Sequence, residues 1–250
     1  LHYPLRRQRQ MCIRDSHKTT VLSRSGLLKG MVDCHSHLLP GVDDGVQSME
    51  ESLQILREME QQGIRRVWLT PHIMEDIPNE TLALQRKFRE LLQQYRGAVE
   101  LKLAAEYMLD NLFEERLEKE DLLLLEEGKR FLLVETSYFN PPMDFLSVLQ
   151  RIQKKGYYPL LAHPERYEYM QKEDYNTLKE EHISFQLNLP SLAGMYGKRV
   201  QGKAEWILRN GMYDRMGCDT HSCHRYQQML FSSIKHNQTK LLDGVNANTL

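Results

Sequence analysis

Tyr158-Pro-Leu-Leu-Ala162 running into His163-Pro-Glu-Arg-Tyr167 is the stretch on which the fold reading turns. Its first half is a short apolar run bounded by Gly156 and by prolines, the pattern of a buried strand, so His163 falls at a strand's C-terminal end. The arrangement recurs along the chain. Met31-Val-Asp-Cys34 runs into His35-Ser-His37, and Arg66-Val-Trp-Leu-Thr70 into Pro71-His72. Residues 101–105 lead to Glu106, Phe131-Leu-Leu-Val134 to Glu135, and residues 212–218 to Asp219-Thr-His221. One apolar run ending in a histidine or carboxylate is commonplace. Six of them describe a site.

Between these runs the pattern is helical. Ser48-x-x-Glu51 reads as a capping box opening a helix with Met49, Leu53, Leu56 and Met59 on one face and Gly63 at its end. Further helices are expected within 79–95, near 112–117, and over 142–155, 198–209 and 225–235. Strands are expected at 66–70, 100–106, 158–162, 184–188 and 212–218, with 122–125 and 130–135 as a hairpin-like pair. Alternating strands and helices imply a mainly parallel α/β sheet, and about seven such units in roughly 220 residues suit a barrel, with functional groups at the C-terminal ends of the strands.

The chain has 250 residues, 41% hydrophobic and 27% charged, and its apolar runs fall far short of a membrane span. Four cysteines, Cys12, Cys34, Cys218 and Cys223, without a secretory signal point to a reducing compartment. Formal net charge is −1. Residues 1–30 carry seven Lys/Arg against Asp15, which leaves −7 on residues 31–250 and no basic stripe for nucleic acid. Residues 1–30 are expected to be a non-domain leader, either a basic transit-type segment or an upstream extension read through in error. Met11-Cys-Ile-Arg-Asp-Ser16 resembles translated sequencing-adapter sequence. The domain is expected to occupy 31–250.

His35 and His37, two apart at a strand end, share one side of it. Glu106 and Glu135 end buried apolar runs, where an unpartnered carboxylate is costly; a salt bridge to a lysine or arginine is the simpler alternative. With His72, Asp219 and His221 the donors exceed what one zinc needs and suit two or three divalent ions such as Mn, Fe or Zn. Cys34 and Cys218 are expected to pack as small hydrophobes, Trp68 and Trp206 to be core, and the run 114–121 to be a solvated face. His2, His17, His182, His224 and His236 have no strand-end context.

The motifs His35-Ser-His37-Leu-Leu-Pro-Gly-Val-Asp-Asp-Gly45, Thr70-Pro-His72, Glu106, Glu135, Ala162-His-Pro-Glu-Arg-Tyr167 and Asp219-Thr-His221 closely resemble the polymerase and histidinol phosphatase (PHP) superfamily. Within it they resemble the bacterial metal-dependent protein-tyrosine phosphatases of capsule and exopolysaccharide operons. The resemblance spans residue 31 to about 225. It implies a distorted, TIM-like (β/α)7 barrel with a three-metal centre, manganese being the expected ion. Carried over by position, His35, His37, Glu135 and Asp219 would hold the first metal. Glu135 would bridge to a second, bound also by His163, and His72, Glu106 and His221 would hold the third. Arg166 would grip the phosphoryl oxygens, with Arg225 the candidate second arginine, one residue closer to Asp219 than the family pattern. Ile73 stands where the family commonly has a second histidine, and Cys218 where it usually has serine.

The resemblance therefore implies a cytoplasmic protein-tyrosine phosphatase using a metal-bridged hydroxide, with a phosphotyrosine protein, in the first place a bacterial tyrosine kinase tail, as partner. The alternatives are a PHP phosphatase acting on a small phosphate such as histidinol phosphate, a metal-dependent amidohydrolase, and a metal-stripped binding module. A cysteine mechanism is not expected, because six residues separate Cys218 from Arg225 and the Cys-x5-Arg pattern is absent.

Overall fold

In the computed structural model the described residues are 18–126 and 130–247. His2, Cys12 and His17 lie outside them. The strands in chain order are β1 (Thr19–Val21), β2 (Val32–Asp33), β3 (Arg66–Leu69), β4 (His72–Ile73), β5 (Glu100–Leu103), β6 (Glu106–Met108), β7 (Leu125–Glu126), β8 (Arg130–Glu135), β9 (Tyr158–Ala162), β10 (Ser184–Asn188), β11 (Arg215–Gly217) and β12 (Ser233–Lys235). The helices are α1 (Met49–Gln61), α2 (Thr81–Gln94), α3 (Asn111–Lys119), α4 (Phe145–Lys154), α5 (Lys172–Glu180), α6 (Leu189–Leu192), α7 (Gly197–Arg209), α8 (Cys223–Phe231) and α9 (His236–Ala247). None of these helices is long and apolar enough to cross a membrane.

Six strands pair in parallel in the order β11-β10-β9-β8-β6-β4, and β2-β3-β5 form a second parallel sheet. The two sheets are one curled surface. β4 continues β3, and β6 continues β5. Pro71, which has no N–H to give, stands at the first of these breaks. Hydrogen bonds from Thr70 N to Ser36 O, Ala104 N to Leu69 O and Glu106 N to Pro71 O carry the ladder across both breaks. At the far edge Cys34 N donates to Met216 O, Asp219 N to His35 O and His37 N to Thr220 O, which ties the end of β2 to the end of β11. The result is a distorted barrel, as expected.

Side-chain alternation divides its core. Val32, Cys34, Trp68, Ala104, Phe131, Leu133, Leu160 and Ala162 form one buried cluster. Leu132, Val134, Leu161, Phe185 and Leu187 join Leu84, Leu149, Ile152 and Ile207 of the helices in the other. Residues two apart share a cluster, the period-two signature of strands covered by helices.

Several local expectations need correction. The expected strand 100–106 is two strands. The Ser48 hydroxyl caps α1 by accepting from Glu51 N, but the Glu51 carboxylate accepts from Cys223 N instead of closing a reciprocal box. Helix α5 escaped the sequence pattern because Tyr175 and Leu178 are its only buried residues, too sparse a stripe to show periodicity. The expected helix 225–235 stops at Phe231 and gives way to β12. Trp206 is only half-buried, with the Lys172 ammonium over its ring. The run 114–121 is not wholly solvated. Arg116 is buried within it, donating to Asp121 at 2.6 Å and to Asn79 O at 2.7 Å.

The segment from Thr19, expected to lie outside the domain, packs on it. β1 pairs antiparallel with β12, and Leu22, Leu27 and Leu28 are buried in the larger cluster. A chain starting at Met31 is therefore expected to melt several degrees below the full chain; an unchanged midpoint would show that this burial adds nothing. Two glycines set how closely the strand ends approach. A Cβ on Gly45 would stand 2.3 Å from His37 O, and one on Gly217 2.6 Å from His35 Cβ and 2.9 Å from His35 N. Gly217→Ala is expected to cost about 1–3 kcal/mol through overpacking, read from urea denaturation. Wild-type stability in that variant would mean that β11 can retreat from His35 freely.

Candidate metal centre

His35 and His37 follow β2, and Ser36 between them turns the other way, its hydroxyl donating to Trp68 O at 2.9 Å. Each imidazole is fixed from behind. His35 Nδ1 lies 3.0 Å from Gln186 Oε1, and His37 Nδ1 lies 2.8 Å from Asp43 Oδ2. An amide or carboxylate oxygen only accepts, so both Nδ1 atoms donate and, in the neutral rings, both Nε2 atoms present lone pairs. Those two Nε2 atoms stand 3.1 Å apart.

Glu106 occupies the middle. Its Oε2 is 3.0 Å from His35 Nε2, 3.3 Å from His37 Nε2 and 3.3 Å from His72 Nδ1, and its Oε1 is 3.1 Å from His163 Nε2. Glu135 lies on the far side, 3.1 Å from His72 Nδ1 and 3.8 Å from His163 Nε2. Asp219 divides its oxygens. Oδ1 is 3.5 Å from His35 and His37 and 3.4 Å from His221 Nδ1, whereas Oδ2 accepts from Arg166 NH1 at 2.8 Å and Asn188 Nδ2 at 2.7 Å. Asp44 approaches His72 at 3.5 Å and His221 at 3.6 Å. All eight strand-end residues singled out in the sequence thus converge.

Their grouping differs from the one the resemblance implies. Donor atoms within 4.8 Å of one another form the sets His35-His37-Asp219, His35-Glu106-His163, His72-Glu106-Glu135 and His37-Asp44-His72-His221. Glu106, not Glu135, stands beside His35 and His37. His221 goes with Asp44, not with Glu106. Left-handed backbone occurs here too, since His163 and Asp219 adopt φ of +35° and +49°.

Electrostatics explain how so many charges stay buried. Burial disfavours a charge on His35, yet the Glu106 and Asp219 carboxylates outweigh it and raise its pKa to about 9. Burial likewise opposes His72, which Glu106 and Glu135 raise to about 10. Glu106 is held well below the usual carboxylate range, because His35 and His72 overcome the desolvation that would raise it. Burial and the nearby His37 push His221 down to about 4. Asp43 sits at about 2, because its bonds from His37, His72 N and Gly45 N prevail over burial. Positive charge in this cluster is what keeps the carboxylates ionised. The donor set fits divalent ions for that reason. Lone pairs of two tautomer-fixed imidazoles and a carboxylate oxygen meet within 3.3 Å, an arrangement that only protons or cations relieve.

The cluster floors a cleft of about 390 Å³ whose walls include Tyr138, Arg166, Tyr196, Ser222 and Arg225. Arg166 does not pair with Glu165 or Glu168. Glu165 is buried, accepting from Asn188 N and the Tyr213 hydroxyl, and Glu168 pairs with Arg199. Arg225 is exposed at the rim. His182, His224 and His236 lie away from the cluster. Sequence reasoning missed Asp43, Asp44, Gln186, Tyr138 and Tyr196. Asp43 and Asp44 lay within a quoted motif, and Gln186 carried a signal as a polar residue in the apolar strand Ser-Phe-Gln-Leu-Asn. The tyrosines carried none.

YwqE of Bacillus subtilis (strain 168), named a tyrosine-protein phosphatase, is 28% identical over 199 residues, 77% of this chain and 78% of its own. CpsB of Streptococcus pneumoniae, also named a tyrosine-protein phosphatase, is 29% identical over 209 residues, 77% of this chain and 83% of its own. Among solved structures, a chain from the crystal structures of YwqE and CpsB, described as unique metal-dependent tyrosine phosphatases, matches with a TM-score of 0.74 at 24% identity, over 86% of this chain and 87% of that one. At that identity the likeness is one of fold. Residues 31–246 match the family described as capsular polysaccharide synthesis, CpsB/CapC, and the chain belongs to that family.

Proposed function

We propose that the protein is a metal-dependent protein-tyrosine phosphatase acting in the cytoplasm on a tyrosine-phosphorylated protein of capsule synthesis, with a bacterial tyrosine kinase tail as the foremost substrate. The observation that carries this reading is Arg166, a guanidinium on the wall of the cleft that the histidine and carboxylate cluster floors. Phosphate chemistry needs such a fork over its metals, whereas hydrolysis at carbon does not.

His35, His37 and Asp219 with Glu106 would hold one ion. Glu106, His163 and Glu135 would hold a second, and Asp44, His72 and His221 a third. Divalent ions there supply Lewis acidity and bring the pKa of water near neutrality, with manganese the preferred ion and iron or zinc the alternatives. The chain's own residues do the rest. Gln186 and Asp43 hold His35 and His37 in one tautomer, so that the Nε2 lone pairs stay aimed. Arg166 presents its remaining N–H groups to the phosphoryl oxygens, and Arg225 adds positive charge at the rim. A tyrosine phenol titrates at about 10 in water, so its phenolate departs without a general acid. Cys218 is no nucleophile, because burial and the neighbouring Asp33 push its thiol well above the ordinary value.

The decisive experiment strips the full chain with chelator, reloads it with manganese, iron or zinc, and follows phosphate release from a phosphotyrosine peptide and from histidinol phosphate. Turnover is expected only after reloading and with preference for the peptide. Full activity in metal-free protein would overturn the mechanism, and preference for histidinol phosphate would move the substrate class. Arg166→Ala is expected to lose on the order of 2–4 kcal/mol of transition-state stabilisation in kcat/KM. Arg166→Lys should also suffer, since an ammonium cannot make paired bonds. Bound metal should be retained in both, because Asn188 still holds Asp219 Oδ2. Near-normal kcat/KM with full metal would return Arg166 to a surface role.

A further inference from the structure

The Arg166 guanidinium packs against two aromatic rings. Its central carbon lies 4.5 Å from the centre of the Tyr138 ring and 4.4 Å from that of Tyr196. A guanidinium donates only in its plane, so rings packed against its central carbon restrict its freedom to tilt without taking up its donors. In that plane NH1 is fixed to Asp219 Oδ2 at 2.8 Å. Three contacts therefore hold the fork, and two of them come from residues that belong to none of the donor groups at the metal centre.

Both rings are themselves held. Tyr138 follows β8, its carbonyl accepts from Glu168 N at 2.7 Å, and its ring stands 6.1 Å from Tyr167 and 5.8 Å from His163. Tyr196 sits in the link between α6 and α7, flanked by Gly194 and Gly197 with φ of +83° and +87°, a turn that side chains rarely allow. The Arg225 guanidinium lies 5.5 Å from the same Tyr196 ring. One ring thus contacts both arginines of the cleft.

We infer that Tyr138 and Tyr196 are positioning residues for the phosphate fork: their rings clamp the Arg166 guanidinium so that its free N–H groups are preset toward the phosphoryl group, and Tyr196 spaces Arg225 from it. This rests on the phosphatase reading. The rings act through their faces, so removing a hydroxyl, even the one Tyr196 holds against Asn188, should leave the clamp in place. An unclamped arginine loses this preset and must surrender its rotamer freedom on every substrate encounter.

The test uses the metal-loaded full chain and a phosphotyrosine peptide. Tyr138→Leu and Tyr196→Leu are each expected to lower kcat/KM about tenfold, with bound metal unchanged. Tyr138→Phe and Tyr196→Phe keep the ring and should stay within about twofold of the parent. In an Arg166→Ala background the leucine substitutions should cost nothing further, which a role in packing alone would not produce. The affinity for inorganic phosphate, measured by calorimetry on the same proteins, should follow the same order. Equal losses in the phenylalanine and leucine variants, full additivity with Arg166→Ala, or parent-like leucine variants would each overturn the clamp. A chain that binds phosphate in this order but releases none from aryl phosphate keeps the clamp and loses the phosphatase reading.

Discussion

A single buried carboxylate, Glu106, holds this site together. It is wholly inaccessible to solvent, and its two oxygens contact His35, His37, His72 and His163. Removing a carboxylate from water costs several kcal/mol even after relaxation, so it persists only where positive charge surrounds it. Four imidazoles, brought in by three different strand ends, provide that charge as protons or as ions. The geometry of the barrel mouth follows from the need to bring them together. Tight backbone ladders at the β2–β11 edge and glycines pressed against His35 and His37 meet that need.

A second layer then decides what the imidazoles can do. Gln186 reaches His35 Nδ1 and also accepts from His163 N, so one amide oxygen couples two histidine-bearing strand ends. Asp43 does the same for the opposite side, binding His37 Nδ1 and the backbone N–H of His72. Either polar group alone in the interior would be a liability. Paired, each fixes a tautomer and a strand spacing at once. The left-handed φ at His163 and Asp219 belongs to the same arrangement, since both residues must turn sharply off their strands to face the centre.

The barrel and the eight convergent residues were legible because strand ends are marked in one dimension, by an apolar run and then a titratable residue. Their grouping was not. Which strand end faces which depends on how the sheet curls, and that placed Glu106 where Glu135 had been expected. Asp44 stayed hidden because it reaches the site from a loop, whose path in space no periodicity encodes. The β1–β12 pair was lost for a different reason: each strand is three residues long and neither reads as a strand without its partner. Tyr138 and Tyr196 were unreadable because aromatic residues at a rim look like any others.

Asp219 ties the histidine and carboxylate cluster to the arginine on the cleft wall. Its Oδ1 faces His35, His37 and His221, while its Oδ2 is shared by Arg166 and Asn188. A carboxylate with both oxygens turned to the ions would leave Arg166 without an in-plane anchor. One with both turned to Arg166 and Asn188 would leave an imidazole corner short of negative charge. The division lets one residue fix the Arg166 guanidinium relative to the imidazole cluster. A rim arginine tethered only to surface carboxylates such as Glu168 would have no such registry with the cluster, and its contribution would be that of a screened surface charge.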